Sequence, residues 1–184
     1  MTGLQLTRRQ YYALCTMVLL SPLLHLVPRK TTAEAGCGGW LCALAALVPL
    51  LLFAYCYGVG PGMVLGALYG VMQFLLDGMA WAALGAIPNL LDYPIAFGLL
   101  GLAGCFRGSK AKMTAGFVLG CFGRFMASFL SGFIFYGQYA PEGVNPVWYS
   151  LTYNGSYMLV ECIICIALGL LVGERLAKEL KKVA

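Results

Sequence analysis

Long apolar runs separated by short polar or turn-rich words set the rhythm of this chain. The runs fall near Tyr11–Val27, Trp40–Tyr57, Pro61–Leu76, Leu90–Phe106, Thr114–Tyr136 and Tyr157–Gly173. Each is close to the roughly 20 residues that a membrane-crossing helix needs. Between them stand Pro28-Arg29-Lys30, Gly58-Val59-Gly60, Asp77 to Asn89, Arg107 to Lys112 and Pro141 to Pro146, all of them turn or solvent signals. The pattern predicts an all-α integral membrane protein, a six-transmembrane-helix bundle, with span ends free to move by about four residues. No linker separates two domains, so residues 1–184 form one unit.

Composition agrees with the pattern. Of 184 residues, 61% are hydrophobic and 10% charged, whereas a soluble domain carries about a quarter charged residues. The net charge of +5 changes the picture only through its placement. With the N-terminus in the cytoplasm, Arg8, Arg9, Arg107, Lys110, Lys112, Arg175, Lys178, Lys181 and Lys182 fall inside, while Arg29 and Lys30 fall outside. Cytoplasmic loops carry the excess of basic residues, so both termini are expected to be cytoplasmic. This basic rim needs no nucleic acid to explain it. The first span is expected to be retained: Thr7-Arg8-Arg9-Gln10 and Ala35-Gly36-Cys37 are faint signal-like words, and Glu34 and Pro28-Arg29-Lys30 spoil the approach to a cleavage site.

Two further groups of residues read as structural. Seven of the eight cysteines lie in spans, and Cys162-Ile-Ile-Cys165 has redox spacing without a redox context, so small apolar filler is the reading. Gly62, Gly66 and Gly70 recur every four residues, as do smaller sets at Gly98, Gly101 and Gly104, at Gly116 and Gly120, and at Gly169 and Gly173. Small residues of this spacing let helix backbones approach closely in lipid.

Chemistry is carried by the few groups that lipid makes expensive. Asp92, Arg124 and Glu161 lie at membrane depth, and each costs several kcal/mol unless it is paired or faces water. A structural ion pair is the plain alternative for Arg124. On a helix, Arg124, Ser128 and Ser131 share a face, with Gly132 and Tyr136 beside it. Tyr136, Tyr139, Trp148, Tyr149, Tyr153 and Tyr157 crowd the end of the fifth span and the start of the sixth, with Trp40 and Trp81 on the same side. An aromatic belt explains part of this crowding. An aromatic cluster beside a desolvated carboxylate also suits a flat organic cation.

The words Leu91-Asp92-Tyr93-Pro94-Ile95-Ala96-Phe97, Ser131-Gly132-Phe133-Ile134-Phe135-Tyr136-Gly137 and Pro146-Val147-Trp148-Tyr149-Ser150-Leu151-Thr152-Tyr153-Asn154 closely resemble the ThiT family, the thiamine-binding S-components of energy-coupling-factor (ECF) importers. The likeness runs over residues 40 to 160, and the first 35 residues match poorly. It implies a high-affinity thiamine-binding subunit in the bacterial plasma membrane that captures the vitamin on the outer side. It also implies an ECF module as partner: a transmembrane scaffold protein and two cytoplasmic ATPases.

Carried over position by position, Trp40 resembles the tryptophan at the start of the second span, and Asp92 the acidic residue that binds the aminopyrimidine, followed by Tyr93. Tyr136 resembles the ring that stacks on the ligand, Tyr149 and Asn154 a tyrosine and asparagine of the last loop, and Arg124 a basic position of the same site. With Trp81 and Ser128 these form the candidate substrate-binding set. Two departures matter. Ser128 stands where the pattern usually has histidine, and the first span offers only Ala13 and Thr16 where family members show Ala-x-x-x-Ala faces for docking.

No cofactor or metal is implied, and no Gly-x-x-x-x-Gly-Lys-Ser/Thr loop is present to cradle ATP. A serine hydrolase using Ser128 or Ser131 would need a base, and the lone His25 lies on another span. A purely structural membrane subunit, or an S-component for another vitamin or for a thiamine precursor such as hydroxymethylpyrimidine, remains the alternative.

Overall fold

Helix follows helix because the apolar runs hold few charges that lipid would penalise, chiefly Asp92, Arg124 and Glu161, and few residues that would break an i→i+4 ladder. The computed structural model describes residues 47–76 and 85–183. Within them lie α1 (Leu47–Tyr57), α2 (Val59–Leu76), α3 (Ala86–Cys105), α4 (Lys110–Phe135) and α5 (Pro146–Val183), with a 3₁₀ turn at Gly137–Tyr139. Three stretches are long and apolar enough to cross a bilayer, Ala86–Cys105, Lys110–Phe135 and Pro146–Leu171, and α1 and α2 are shorter apolar helices. The first expected span, the beginning of the second, and the segment holding Trp81 lie outside the described residues.

Helix α1 is apolar on every side and sits at the centre, with Leu47 through Cys56 all buried. Gly58 ends it at φ 102°, a left-handed conformation that glycine takes without a Cβ penalty. That single residue is the whole break. Helix α2 starts at Val59 rather than at Pro61, because the first helical turn has no intrahelical acceptors and tolerates proline there. At the same end of the bundle the Arg107 side chain donates to the carbonyls of Tyr55 (3.1 Å) and Cys56, a cation on a helix C-terminus.

Close backbone contact joins α2 to α3. A Cβ at Gly66 would strike the Phe97 carbonyl and come within 3.1 Å of Gly98 Cα, and one at Gly70 would strike the Tyr93 carbonyl and lie 2.9 Å from Pro94 Cα. The glycine spacing in α2 is thus matched by the backbone of the facing helix.

Helix α3 changes winding along its length: α-helix over Ala86–Leu90, π-helix over Leu91–Ile95, α-helix over Ala96–Leu99 and 3₁₀-helix over Leu100–Cys105. Pro94 explains the wide turn. It has no N–H, and its ring would collide with the carbonyl four residues back; widening relieves the clash, and the Ala96 N–H reaches Leu91 O, five residues earlier. The widened turn carries Asp92, which fits the frequent placement of π-bulges at functional positions.

The last helix differs most from expectation. It begins at Pro146, about three turns before Tyr157. Asn145 Oδ1 accepts the Val147 N–H at 2.8 Å and Pro146 opens the first turn, an Asn cap followed by a preorganised proline. Tyr149 and Asn154, expected in a loop, are therefore on a helix. At 38 residues α5 is about 57 Å long, so its basic end extends well past its apolar window.

The α2–α3 seam gives a test. Gly70→Ala should lower stability by about 1–3 kcal/mol, read as a lower thermal midpoint in detergent. Gly98→Ala, where a Cβ would meet nothing closer than 3.5 Å, should be near neutral. Equal midpoints for the two variants would contradict this account of the seam.

Candidate functional site

Three helices bring the chain's scarce polar groups to one place. The π turn of α3 presents Asp92, half-buried, while α4 presents Arg124, Ser128, Ser131 and Gly132 at steps of four, seven and eight, one face of a helix. The first turns of α5 present Tyr149, Ser150, Tyr153, Asn154 and Tyr157. Together they enclose a cavity of about 500 Å³, a volume suited to a small organic ligand.

Asp92 is held by hydroxyls. Ser131, fully buried, donates to Asp92 Oδ2 at 2.7 Å, and the hydroxyls of Ser128 and Tyr136 also act on this carboxylate. The Tyr136 phenol is a neutral donor at physiological pH.

Arg124 has a different partner. Its Nη1 donates to Glu161 Oε2 across α4 and α5, and its guanidinium carbon lies 4.5 Å from the centre of the Phe97 ring, a cation–π contact. Its Nε is buried and has no hydrogen-bond partner among the described residues. Asp92 and Glu161 are the carboxylates within the three long apolar windows, and the ion pair claims one of them. Among the described lining residues the pair is neutral and Asp92 supplies one negative charge, whose complement is a cation.

Aromatic rings form the walls and the rim. Tyr149, Tyr153 and Tyr157 follow one another along α5 with centroids 6.1 and 5.9 Å apart, and Tyr136 neighbours Tyr139 at 6.3 Å. Tyr153 is 62% exposed and Tyr139 54%, which puts them at the open rim. Deeper in, Tyr93 and Phe97 are buried and fixed edge-on by Phe74 and Tyr69, at 5.2 and 5.0 Å.

Asn154 is less free than its sequence position suggests. Its Nδ2 donates to Ser150 O (3.1 Å), Ser150 Oγ (3.2 Å) and Ser128 O (3.4 Å), and its Oδ1 accepts from the Tyr157 hydroxyl at 3.0 Å. Ser150 Oγ donates in turn to Phe129 O at 2.8 Å. These bonds bracket α5 to α4 and leave the Asn154 amide chiefly an acceptor toward the cavity. The bracket fits only because residue 132 is glycine: a Cβ there would meet Ser150 Oγ and lie 3.0 Å from Asn154 Nδ2.

Of the residues singled out from the sequence, Asp92, Tyr93, Arg124, Ser128, Tyr136, Tyr149 and Asn154 all line this cavity. Trp40 and Trp81 lie outside the described residues. Ser131 holds Asp92 from behind the wall, and Arg124 pairs with Glu161. Gln73, Phe97 and Ser150 also line the cavity and were not singled out. Gln73 had a readable signal, an amide alone in an apolar helix; Phe97 and Ser150 had none.

The comparisons with known proteins agree with one another. The family model described as Thiamine transporter protein (Thia_YuaJ) matches residues 13–180. The Thiamine transporter ThiT of Bacillus subtilis (strain 168) is 36% identical over 133 residues, covering 65% of this chain and 68% of that protein. The Thiamine transporter ThiT of Lacticaseibacillus paracasei is 34% identical over 134 residues, covering 65% and 67%. Among solved structures, ThiT from Listeria monocytogenes superposes with a TM-score of 0.68 over 90% of this chain and 97% of that one, at 17% identity. That last likeness speaks for the fold.

The bracket between α4 and α5 yields the next test. Gly132→Ala should displace Ser150 and Asn154 and cost about 1–3 kcal/mol, seen as a lower unfolding midpoint. Gly155→Ala, whose Cβ would have only Phe125 at 3.8 Å, should hold or slightly raise it, since alanine suits a helix better. A Gly132→Ala midpoint at or above that of Gly155→Ala would refute the bracket.

Proposed function

This chain belongs to the thiamine transporter protein family, and from that premise we propose that it is the thiamine-binding S-component of an ECF-type importer, capturing the vitamin from outside the bacterial plasma membrane. The observation that carries the reading is the aromatic cavity in which, among the described residues, Arg124 pairs with Glu161 and Asp92 is held by hydroxyls rather than by a cation. Thiamine offers the complement: a permanently cationic thiazolium ring and a flat aminopyrimidine. Tyrosine faces attract such a cation by ring stacking and by their quadrupoles. Asp92 accepts from the exocyclic amine, Tyr136 and Tyr149 stack against the ligand, and the free acceptor position on Asn154 fixes its orientation.

The proposal includes the full architecture: six spans, both termini cytoplasmic, a cavity opening outward, and release that depends on an ECF scaffold with two ATPases. Its support is the basic bias of the inner loops together with family membership. Trp40 and Trp81 are proposed to belong to the substrate-binding set. Ser128 distinguishes this member. A short hydroxyl beside Asp92 replaces the expected histidine ring, so the reading favours the charge of Asp92 over stacking at that wall. Binding of a thiamine precursor, hydroxymethylpyrimidine, is the second reading, favoured by that same vacant ring position.

Titration calorimetry of the purified protein should show thiamine binding with a dissociation constant on the order of nanomolar, about 12 kcal/mol. No heat up to millimolar thiamine, with clear heat for riboflavin or biotin, would overturn the assignment; tighter binding of the pyrimidine fragment than of thiamine would favour the second reading. Asp92→Ala should weaken thiamine binding by about 2–4 kcal/mol by leaving ligand groups unpaired in a dry site, and Asp92→Asn by less, since an acceptor oxygen remains. A folded Asp92→Ala protein with unchanged affinity would remove Asp92 from the site.

A further inference from the structure

We propose that Glu161, which does not line the cavity, is the residue that makes the site select a cationic ring over a neutral ring of the same shape; the inference rests on the thiamine site proposed above. Arg124 lines the cavity, and Glu161 lies behind it, 6% exposed, on the neighbouring helix. The guanidinium is held from two sides, by the Glu161 carboxylate on α5 and by the Phe97 ring on α3. Phe97 follows Asp92 by five residues on α3, across the widened turn, and the guanidinium rests on the Phe97 ring and the Glu161 carboxylate. Tyr157 and Cys165 also act on Arg124 from α5, and the Tyr157 hydroxyl is bonded to Asn154.

Within the long apolar windows Asp92 is the only other carboxylate. Without Glu161, the guanidinium would keep a buried charge for which Asp92 is the other carboxylate in the described apolar windows. Turned toward Asp92, or merely left uncompensated beside it, Arg124 would cancel the field that favours a cation. In a low-dielectric site that cancellation acts over several ångströms. Glu161 is thus a positioning residue: it touches no ligand and acts by keeping Arg124 neutralised and deep.

The readout is a ratio of affinities, which a merely structural role would not move. Thiamine and its neutral thiophene isostere, with carbon in place of the charged ring nitrogen, are titrated against the purified full chain. Wild type should prefer thiamine. Glu161→Gln should reduce that preference by about tenfold or more, even as both affinities fall. Adding Arg124→Gln in the double variant should return the ratio toward the wild-type value, since the cavity again holds Asp92 alone. An unmoved ratio in folded Glu161→Gln, or a ratio still reduced in the double variant, would overturn the proposal. If Glu161→Gln does not fold, as removal of one partner of a buried pair can cause, Arg124→Gln is compared with the double variant. Two carboxylates should give a thiamine preference at or above that of the double variant, and a lower one would overturn the proposal. Absence of thiamine binding in wild type would instead remove the functional reading beneath it.

Discussion

A membrane interior does not forgive an unpaired charge, and the ion pair of Arg124 with Glu161 is the interaction on which the rest of this structure depends. It ties α4 to α5 at depth, seats a guanidinium on Phe97 of α3, and so joins three of the helices that line the cavity. Replacing such a pair by apolar residues is often harmless, whereas removing one member is not. Its retention here has a use that packing alone does not give. By consuming Glu161 and Arg124 together, it leaves Asp92 to define the charge of the site.

Packing without side chains sets where Asp92 stands. Glycines of α2 bring its backbone against that of α3 at Tyr93 and Pro94, and Pro94 forces the π turn on which Asp92 is carried. Ser131, fully buried on α4, then holds the carboxylate by a hydroxyl rather than by a cation. On the far wall, Ser150 and Asn154 bracket α5 to the α4 backbone through the gap at Gly132. The aromatic rim therefore stands on rigid elements, and preorganised rings and hydrogen-bonding groups spend less free energy on ordering when a ligand arrives.

Much of this could be read from residue order because lipid imposes a simple rule, that apolar runs become helices and stray charges mark function. The helices around Val59–Leu76, Ala86–Cys105 and Lys110–Phe135 follow from that rule within a turn or so. The start of α5 does not. Its first three turns are rich in tyrosine and serine, so hydropathy falls, although Ser150 and Asn154 are buried against α4. The better signal was Asn145-Pro146, a cap and first helical residue. The partner of Arg124 was equally hidden, since position along a chain ranks Asp92 and Glu161 alike and only the relative rotation of α3 and α5 separates them. Gln73 was readable in principle, as an amide no apolar helix needs.

The most direct test of the central claim is an experimental structure of the purified chain with thiamine bound. The account requires density for the ligand between Asp92 and the Tyr136–Tyr149 rings, with the Arg124 guanidinium still on Glu161 and Phe97. Ligand lodged elsewhere, or Arg124 swung from Glu161 onto Asp92 in the bound state, would contradict it.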